Sequence, residues 1–373
     1  MSVRVEMIGG NDKLVEAASL YGLKPGTGSA DAKYIIILLA SPEDADTATS
    51  ILTKPGVEGG AVVVLQGSRA LGGALEALAK ARDAGRRVAL LAISSGGMVE
   101  GWMVDALRGL RAGASVRDMT VLFYGFTEDE VLDAGIADAR FYETSDAIET
   151  LREALDYGSL YIGTYLAEYY PVEGLAEDLL SRSLGGYLAV RSVLEASGAN
   201  AVVLNCSLFQ SERVNPSLAL HLLLDEGVPA TCSGMEEMLG PIMTSLSLTG
   251  KPPALGIAID HDDKGLIVDP ILVPTLVARE RRLEPAREGY IPGNKLRPGR
   301  YTLVSPRRDE VAYRVVEVSH EGEYVVARGV DPWLLPSPRL TLIPGDVGGP
   351  LAWSLYFLGL AGPRPPIPLG QLH

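Results

Sequence analysis

Three segments decide the fold: A-V-V-L-N-C-S-L-F-Q at 201–210, V-P-A-T-C-S-G-M-E-E at 228–237, and T-G-K-P-P-A-L-G-I-A-I-D-H-D-D at 249–263. Each is a short apolar run ending in a polar turn, and helical patterns lie between them. Strand, turn and helix in this succession indicate a parallel sheet, whose ligands bind beyond the carboxyl ends of its strands. Chemistry is therefore expected around Cys206, Gln210, Cys232, Ser233, Glu236, Glu237 and the run Asp260–Asp263.

The same succession extends upstream. Arg4–Ile8, Tyr34–Ala40, Ala61–Leu65 and Val88–Ile93 read as strands, the second as a continuous apolar run of the buried parallel kind. Ser41-Pro42-Glu43-Asp44 is a helix start, with Ser at the N-cap, Pro at N1 and acids in the first turn. Lys24-Pro25-Gly26-Thr27-Gly28 breaks the chain. A second set follows, with strands expected at Ser115–Tyr124, Ala139–Glu143 and Leu160–Gly163. Helices are expected at Thr127–Ala134, Ser145–Tyr157 and Glu173–Ser197. Beyond Gly299 short alternating runs (Y-T-L-V-S, V-A-Y-R-V-V-E-V-S, E-Y-V-V-A-R-G) predict an antiparallel sheet or small barrel. An apolar helix at Pro350–Leu360 and a proline-rich end complete the chain.

Composition narrows the function. The chain of 373 residues carries a net charge of −14, which argues against nucleic acid and anionic membranes as partners. The charge is uneven, +3 from Ile271 onward and −17 before it, which supports a separate C-terminal domain. The N-terminus enters a strand with no signal pattern, and two cysteines form no disulfide framework, so a cytoplasmic protein is expected. Arg outnumbers Lys while Asn and Gln are scarce, the bias of a thermophile or of a GC-rich genome, which says little about function.

Two upstream turns, Gln66-Gly67-Ser68-Arg69 and Ser94-Ser95-Gly96-Gly97, precede helices and present N–H groups suited to an anion. Gln66, Ser68, Arg69 and Ser95 are thus candidate ligand-binding residues, with Cys206, Gln210 and Ser233 from the opening segments.

Several ordered stretches resemble the L-fucose/L-arabinose isomerase superfamily. Ser68–Glu76 followed by Ala84-Gly85 looks like one helix of that family, and Gly198–Cys206 and Leu224–Cys232 look like two of its strand segments. Leu248–Ala254 is similar to its P-P-A turn, and Pro298–Leu303 to its entry into the barrel. The resemblance implies an α/β fold of two consecutive Rossmann-like parallel-sheet domains followed by a C-terminal antiparallel β-barrel. Boundaries are expected at 1–110, 111–262 and 263–373, the last domain holding the apolar helix and proline-rich tail. It further implies aldose–ketose isomerisation of a sugar or sugar phosphate through a metal-stabilised enediolate, Mn²⁺ as the cofactor, and a homo-oligomer (trimer or hexamer) whose sites a neighbouring subunit completes. The family's metal ligands are not retained in place. Ser233 stands where the first acidic ligand follows Cys232, Ile257 at the second, and Gly362-Pro363 near the late His.

A displaced site is the remaining route to that chemistry. Glu236, Glu237 and Asp260 would be its catalytic carboxylates, with Glu236, Asp260 and His261 as metal ligands of the oxygen and nitrogen type that a hard cation takes. The competing reading makes Glu236 and Glu237 first-turn acids and Asp260–Asp263 a solvated turn. Cys206 and Cys232 as an acid–base thiol pair rank last. His221, mid-helix, is read as core or surface, and a relative that binds sugar without turning it over is the alternative function.

Overall fold

The computed structural model describes residues 3–94, 101–130, 138–165, 176–280, 283–286, 289–292, 295–307, 310–321 and 324–360. The chain forms two compact units, Met1–Asp118 with Gly349–His373, and Met119–Gly348.

Unit 1 is built on a four-stranded parallel sheet: β1 (Val3–Ile8), β2 (Tyr34–Leu39), β3 (Gly59–Leu65) and β4 (Arg87–Ile93), in sequence order. Helices α1 (Asp12–Ser19), α2 (Ala45–Leu52), α3 (Ala70–Asp83) and α4 (Gly101–Arg117) connect and cover it. All six residues of β2 are buried because the sheet has a core on each face. Tyr34, Ile36 and Leu38 point into one core, and Ile35, Ile37 and Leu39 into the other. The expected cap is in place, with Ser41 Oγ accepting from the Glu43 N–H at 3.3 Å ahead of Pro42.

Unit 2 opens with a second four-stranded parallel sheet of β5 (Thr120–Tyr124), β6 (Asp138–Tyr142), β7 (Ala201–Leu204) and β8 (Ala230–Cys232), in the order β6-β5-β7-β8. Its helices are α5 (Thr144–Tyr165), α6 (Glu177–Ser197), α7 (Cys206–Ser211), α8 (Ser217–Asp225) and α9 (Leu239–Thr249). The chain then enters the barrel through β9 (Ala254–His261) and β10 (Leu266–Leu272). Two small ribbons follow: β11 (Ala278–Glu280) with β14 (Lys295–Leu296), and β12 (Leu283–Ala286) with β13 (Gly289–Pro292). Strands β15 (Gly299–Arg307), β16 (Glu310–Glu321), β17 (Tyr324–Arg328) and β18 (Arg339–Pro344) close the barrel in the order β10-β17-β16-β15-β18-β9. The architecture is therefore α/β, with two parallel-sheet domains and a closed six-stranded antiparallel barrel.

Several local assignments shift, and of the expected helix Thr127–Ala134 the described part, up to Glu130, holds only a 3₁₀ turn at Glu128–Glu130 while 131–134 lie outside the described residues. Leu160–Gly163, expected as a strand, continues helix α5, because a short apolar run does not distinguish strand from helix. Residues 115–117 end α4, and the strand begins only at Thr120. Ala254–His261, taken as the third parallel strand, is the first barrel strand and pairs antiparallel with β10 and β18. The boundary at 110 falls inside α4, and unit 1 runs on to Asp118.

The last helix, α10 (Gly348–Leu358), is assigned by sequence to the barrel domain but packs with unit 1 from Gly349 on. Its Trp353, Tyr356 and Phe357 are buried. A Cβ on Gly109 of α4 would lie 2.4 Å from Trp353 Cβ, so glycine is what lets the two helices meet. The last carbonyls of α10 have no helical partner. Tyr34 Oη donates to Phe357 O at 2.9 Å, Arg87 Nη1 to Tyr356 O at 2.9 Å, and Arg117 Nη2 to Leu358 O at 3.0 Å.

Candidate functional site

In unit 2 the carboxyl ends of β7 and β8 lie side by side, joined by register pairing of Leu204 with Cys232. Asn205 caps α7, its side chain accepting from Leu208 N–H and donating from Nδ2 to Gly125 O at 2.9 Å. The Ser233 N–H donates to Leu204 O at 2.7 Å, and Ser233 Oγ accepts from the Cys206 N–H at 3.2 Å. Both turns are thus tied to each other through backbone and side chain.

Cys206 and Cys232 are joined in a disulfide, with Cα atoms 5.6 Å apart. This corrects two expectations: the cysteines do form a bond, and as a disulfide they offer no thiol for acid–base work. Neighbouring parallel strands bring the two strand ends within bonding reach, which a separation of 26 residues in sequence does not reveal. Disulfides persist in oxidising compartments and also inside the cells of hyperthermophiles.

The carboxylates go separate ways. Glu236 Oε1 accepts from the Gly234 N–H at 2.7 Å, closing its own turn ahead of a short 3₁₀ segment, Glu236–Met238. Glu237 Oε1 accepts from Arg339 Nη1 on β18 at 2.6 Å, with the two side chains 25% and 39% exposed. Arg339 is the register partner of Ile257 on β9. Asp260 lies three residues further along β9, roughly 10 Å at the usual strand rise. There its Oδ1 accepts from the His261 N–H at 2.8 Å. His261 packs edge-on against Trp333, with ring centroids 6.4 Å apart. Asp262 Oδ1 accepts from the Lys264 and Gly265 N–H groups and so shapes the β9–β10 hairpin turn. All four residues are exposed, but Asp260 and His261 end strand β9, and only Asp262 and Asp263 lie in the solvated turn.

A divalent cation needs several oxygen or nitrogen ligands converging within about 2–2.6 Å of one point. Glu236, Asp260 and His261 are not brought together, and among the described residues no group of three His, Cys, Asp or Glu side chains forms such a cluster. The described residues do not fit the Mn²⁺ that the resemblance implies.

Other candidates are placed as follows. Gln210 is exposed on α7, its carbonyl accepting from the Arg213 N–H. In unit 1, Gln66, Ser68 and Arg69 form the β3–α3 turn, with Gly67 at φ +76°. The Gln66 N–H donates to Ile93 O at 2.7 Å, and Ser68 Oγ is buried with no hydrogen-bond partner among the described residues. Arg69 is exposed and makes no side-chain cap. Ser95 lies outside the described residues.

Sequence reasoning missed two groups. Arg339 sits in an ordinary alternating strand, and nothing local marks a partner 102 residues earlier. His221, fully buried on α8, meets Asp225 Oδ2 through Nε2 at 3.1 Å and Thr275 Oγ1 at 3.3 Å, while the Thr275 N–H donates to Asp225 Oδ1 at 2.7 Å. The i, i+4 spacing of His221 and Asp225 was the available signal. Burial works to raise the Asp225 pKa, but the hydrogen bonds from His221 and Thr275 outweigh it and hold the carboxyl below its ordinary value. Both the Asp and the Thr address the same His nitrogen, and the group braces α8 against the segment after β10.

No family model matches the chain, and no curated protein matches it. Among the described residues no helix is long and apolar enough to cross a membrane.

Proposed function

We propose that unit 2 binds a sugar or sugar phosphate at the carboxyl ends of β7 and β8 without isomerising it. The observation that carries this reading is the Glu237–Arg339 pair, 2.6 Å across and partly open to solvent. It stands with Ser233 and Ile257 at the positions where the resemblance expects metal carboxylates. A guanidinium is a permanent cation with five donors, suited to phosphate or to neighbouring hydroxyls, and the carboxylate accepts from hydroxyls in turn. Such a pair recognises a polyol without a metal. The described residues offer no ligand set for the cation that stabilises an enediolate, which favours binding over turnover. The choice of a sugar, and of a homo-oligomer (trimer or hexamer), rests on the resemblance to the L-fucose/L-arabinose isomerase superfamily.

Calorimetric titration with a panel of aldoses, ketoses and their phosphates, in chelator and again in Mn²⁺, tests this reading. Saturable binding that is indifferent to chelator is expected. Absence of binding across the panel would sink the proposal, and Mn²⁺-dependent conversion of an aldose to its ketose would restore the isomerase.

A further inference from the structure

Residues 329–338 connect β17 to β18 around a 3₁₀ turn, Pro332–Leu334. Both flanks of the turn are anchored. Val330 and Leu335 pack against the barrel core. On β15, Ser305 Oγ accepts from the Ser337 N–H at 3.1 Å and donates to Ser337 O at 2.7 Å. Asp331 caps the turn, its Oδ1 accepting from the Trp333 N–H at 3.1 Å. Held in this way, the turn directs Trp333 and Leu334 outward, 85% and 67% exposed. Single exposed apolar side chains are ordinary on a protein surface. A tryptophan and a leucine side by side on a pinned turn mark a contact surface.

The β9–β10 hairpin lies beside that turn. The Ala258 N–H donates to Pro338 O at 2.7 Å, and the His261 ring meets Trp333 edge-on with centroids 6.4 Å apart. Ile259, between those two contacts on β9, is 49% exposed. Four exposed carboxylates flank the apolar side chains: Asp331 next to the turn, and Asp260, Asp262 and Asp263 next to His261. The cations close by are matched by other acids. Lys264 Nζ is 2.6 Å from Glu321 Oε1, and Arg328 is the register partner of Glu317. This corner of the barrel is therefore apolar at its centre and negative around it.

We propose that the corner docks a basic amphipathic segment of a partner protein. Apolar side chains of that segment cover Trp333, Leu334 and Ile259, and its lysines and arginines meet the four carboxylates. An arginine among them has the Trp333 ring to lie on. Charge decides against the other occupants. A second copy docked about a two-fold axis would set the same carboxylates against one another, and an anionic membrane or nucleic acid would meet them with its own negative charge. The surface is separate from the Glu237–Arg339 pair and does not rest on the sugar reading.

Titration of the full chain with three synthetic peptides tests the proposal: an amphipathic Leu/Lys peptide, its Leu/Glu counterpart, and an all-Lys peptide of the same length. Calorimetry is expected to show saturable binding of the Leu/Lys peptide at one per chain, weakened by salt, with the other two at least about tenfold weaker. Trp333 is the most exposed of the three tryptophans, so its emission should shift to the blue and its quenching by acrylamide should fall as the peptide binds. Trp333→Ser should weaken the Leu/Lys peptide by about tenfold or more, and Asp260→Asn with Asp263→Asn by about tenfold. Both variants change exposed side chains, and an unchanged unfolding midpoint checks that they fold. Failure of the Leu/Lys peptide to saturate overturns the proposal. So does equal binding of either control peptide, or an unchanged affinity in the folded Trp333→Ser protein. A dimer of the peptide-free chain that Trp333→Ser dissolves, seen by sedimentation, would give the surface to a second copy and overturn it as well.

Discussion

Arg339 reaches from β18 to Glu237 at 2.6 Å, and its own register partner on β9 is Ile257. One side chain therefore links the turn after β8 to the first strand of the barrel. It supplies a positive charge beside Ile257, one of the two positions where the resemblance expects carboxylates around a metal.

That pair is partly open to solvent, so its contribution to stability is small, roughly 0.2–1 kcal/mol. Arg339→Gln is expected to leave the denaturant midpoint nearly unchanged while lowering the affinity for a sugar phosphate by about tenfold or more. Binding unaffected by this change would remove Arg339 from the site.

The disulfide closes a loop of 26 residues in sequence separation, worth about 3–4 kcal/mol on loop-closure grounds. Cys206→Ser with Cys232→Ser should lower the unfolding free energy by about that amount, as should reduction of the wild-type protein. Thiol labelling after denaturation without reductant is expected to find no free cysteine. Two labelled thiols per chain would contradict the pairing.

Acid should act through Asp225. Its pKa is depressed in the fold from the ordinary 3.8, where burial, which would raise it, is outweighed by hydrogen bonds from His221 and Thr275. The stabilisation is therefore complete above the unfolded value and is lost as pH falls through the folded one. Unfolding midpoints taken from about pH 6 down to about pH 2 should drop below about pH 4, and Asp225→Asn should flatten that limb. An identical acid limb in the variant would show that other carboxylates govern it.

Gly109 controls the docking of α10. A Cβ 2.4 Å from Trp353 Cβ cannot be relieved by rotating a side chain, since both atoms are fixed to backbone. Gly109→Ala is expected to destabilise unit 1 by about 1–3 kcal/mol despite the better helix propensity of alanine. Thermal unfolding monitored by tryptophan fluorescence checks this, because Trp102 and Trp353 stack at this contact with ring centroids 6.3 Å apart. A raised midpoint would show that the helices separate without cost.

Sequence by itself determined what depends on neighbours along the chain. The buried run Tyr34–Leu39, the Ser41-Pro42 helix start and the alternating strands after Gly299 follow from side-chain period and cap chemistry, and these forces act over a few residues. They suffice for the two parallel sheets and the barrel. Tertiary structure decided what depends on residues far apart in the chain. Cys206 bonds Cys232 because β7 and β8 are neighbours, and Glu237 takes Arg339 because β18 closes the barrel beside β9. Phe357 meets Tyr34 across 323 residues because α10 covers the sheet of unit 1. The carboxylates expected to gather round a metal separate for the same reason: the chain beyond Pro253 turns into the barrel and carries Asp260 and His261 to a hairpin. Each of these pairings is a long-range closure whose entropic cost is met only by a whole packed core, and local pattern carries no record of it.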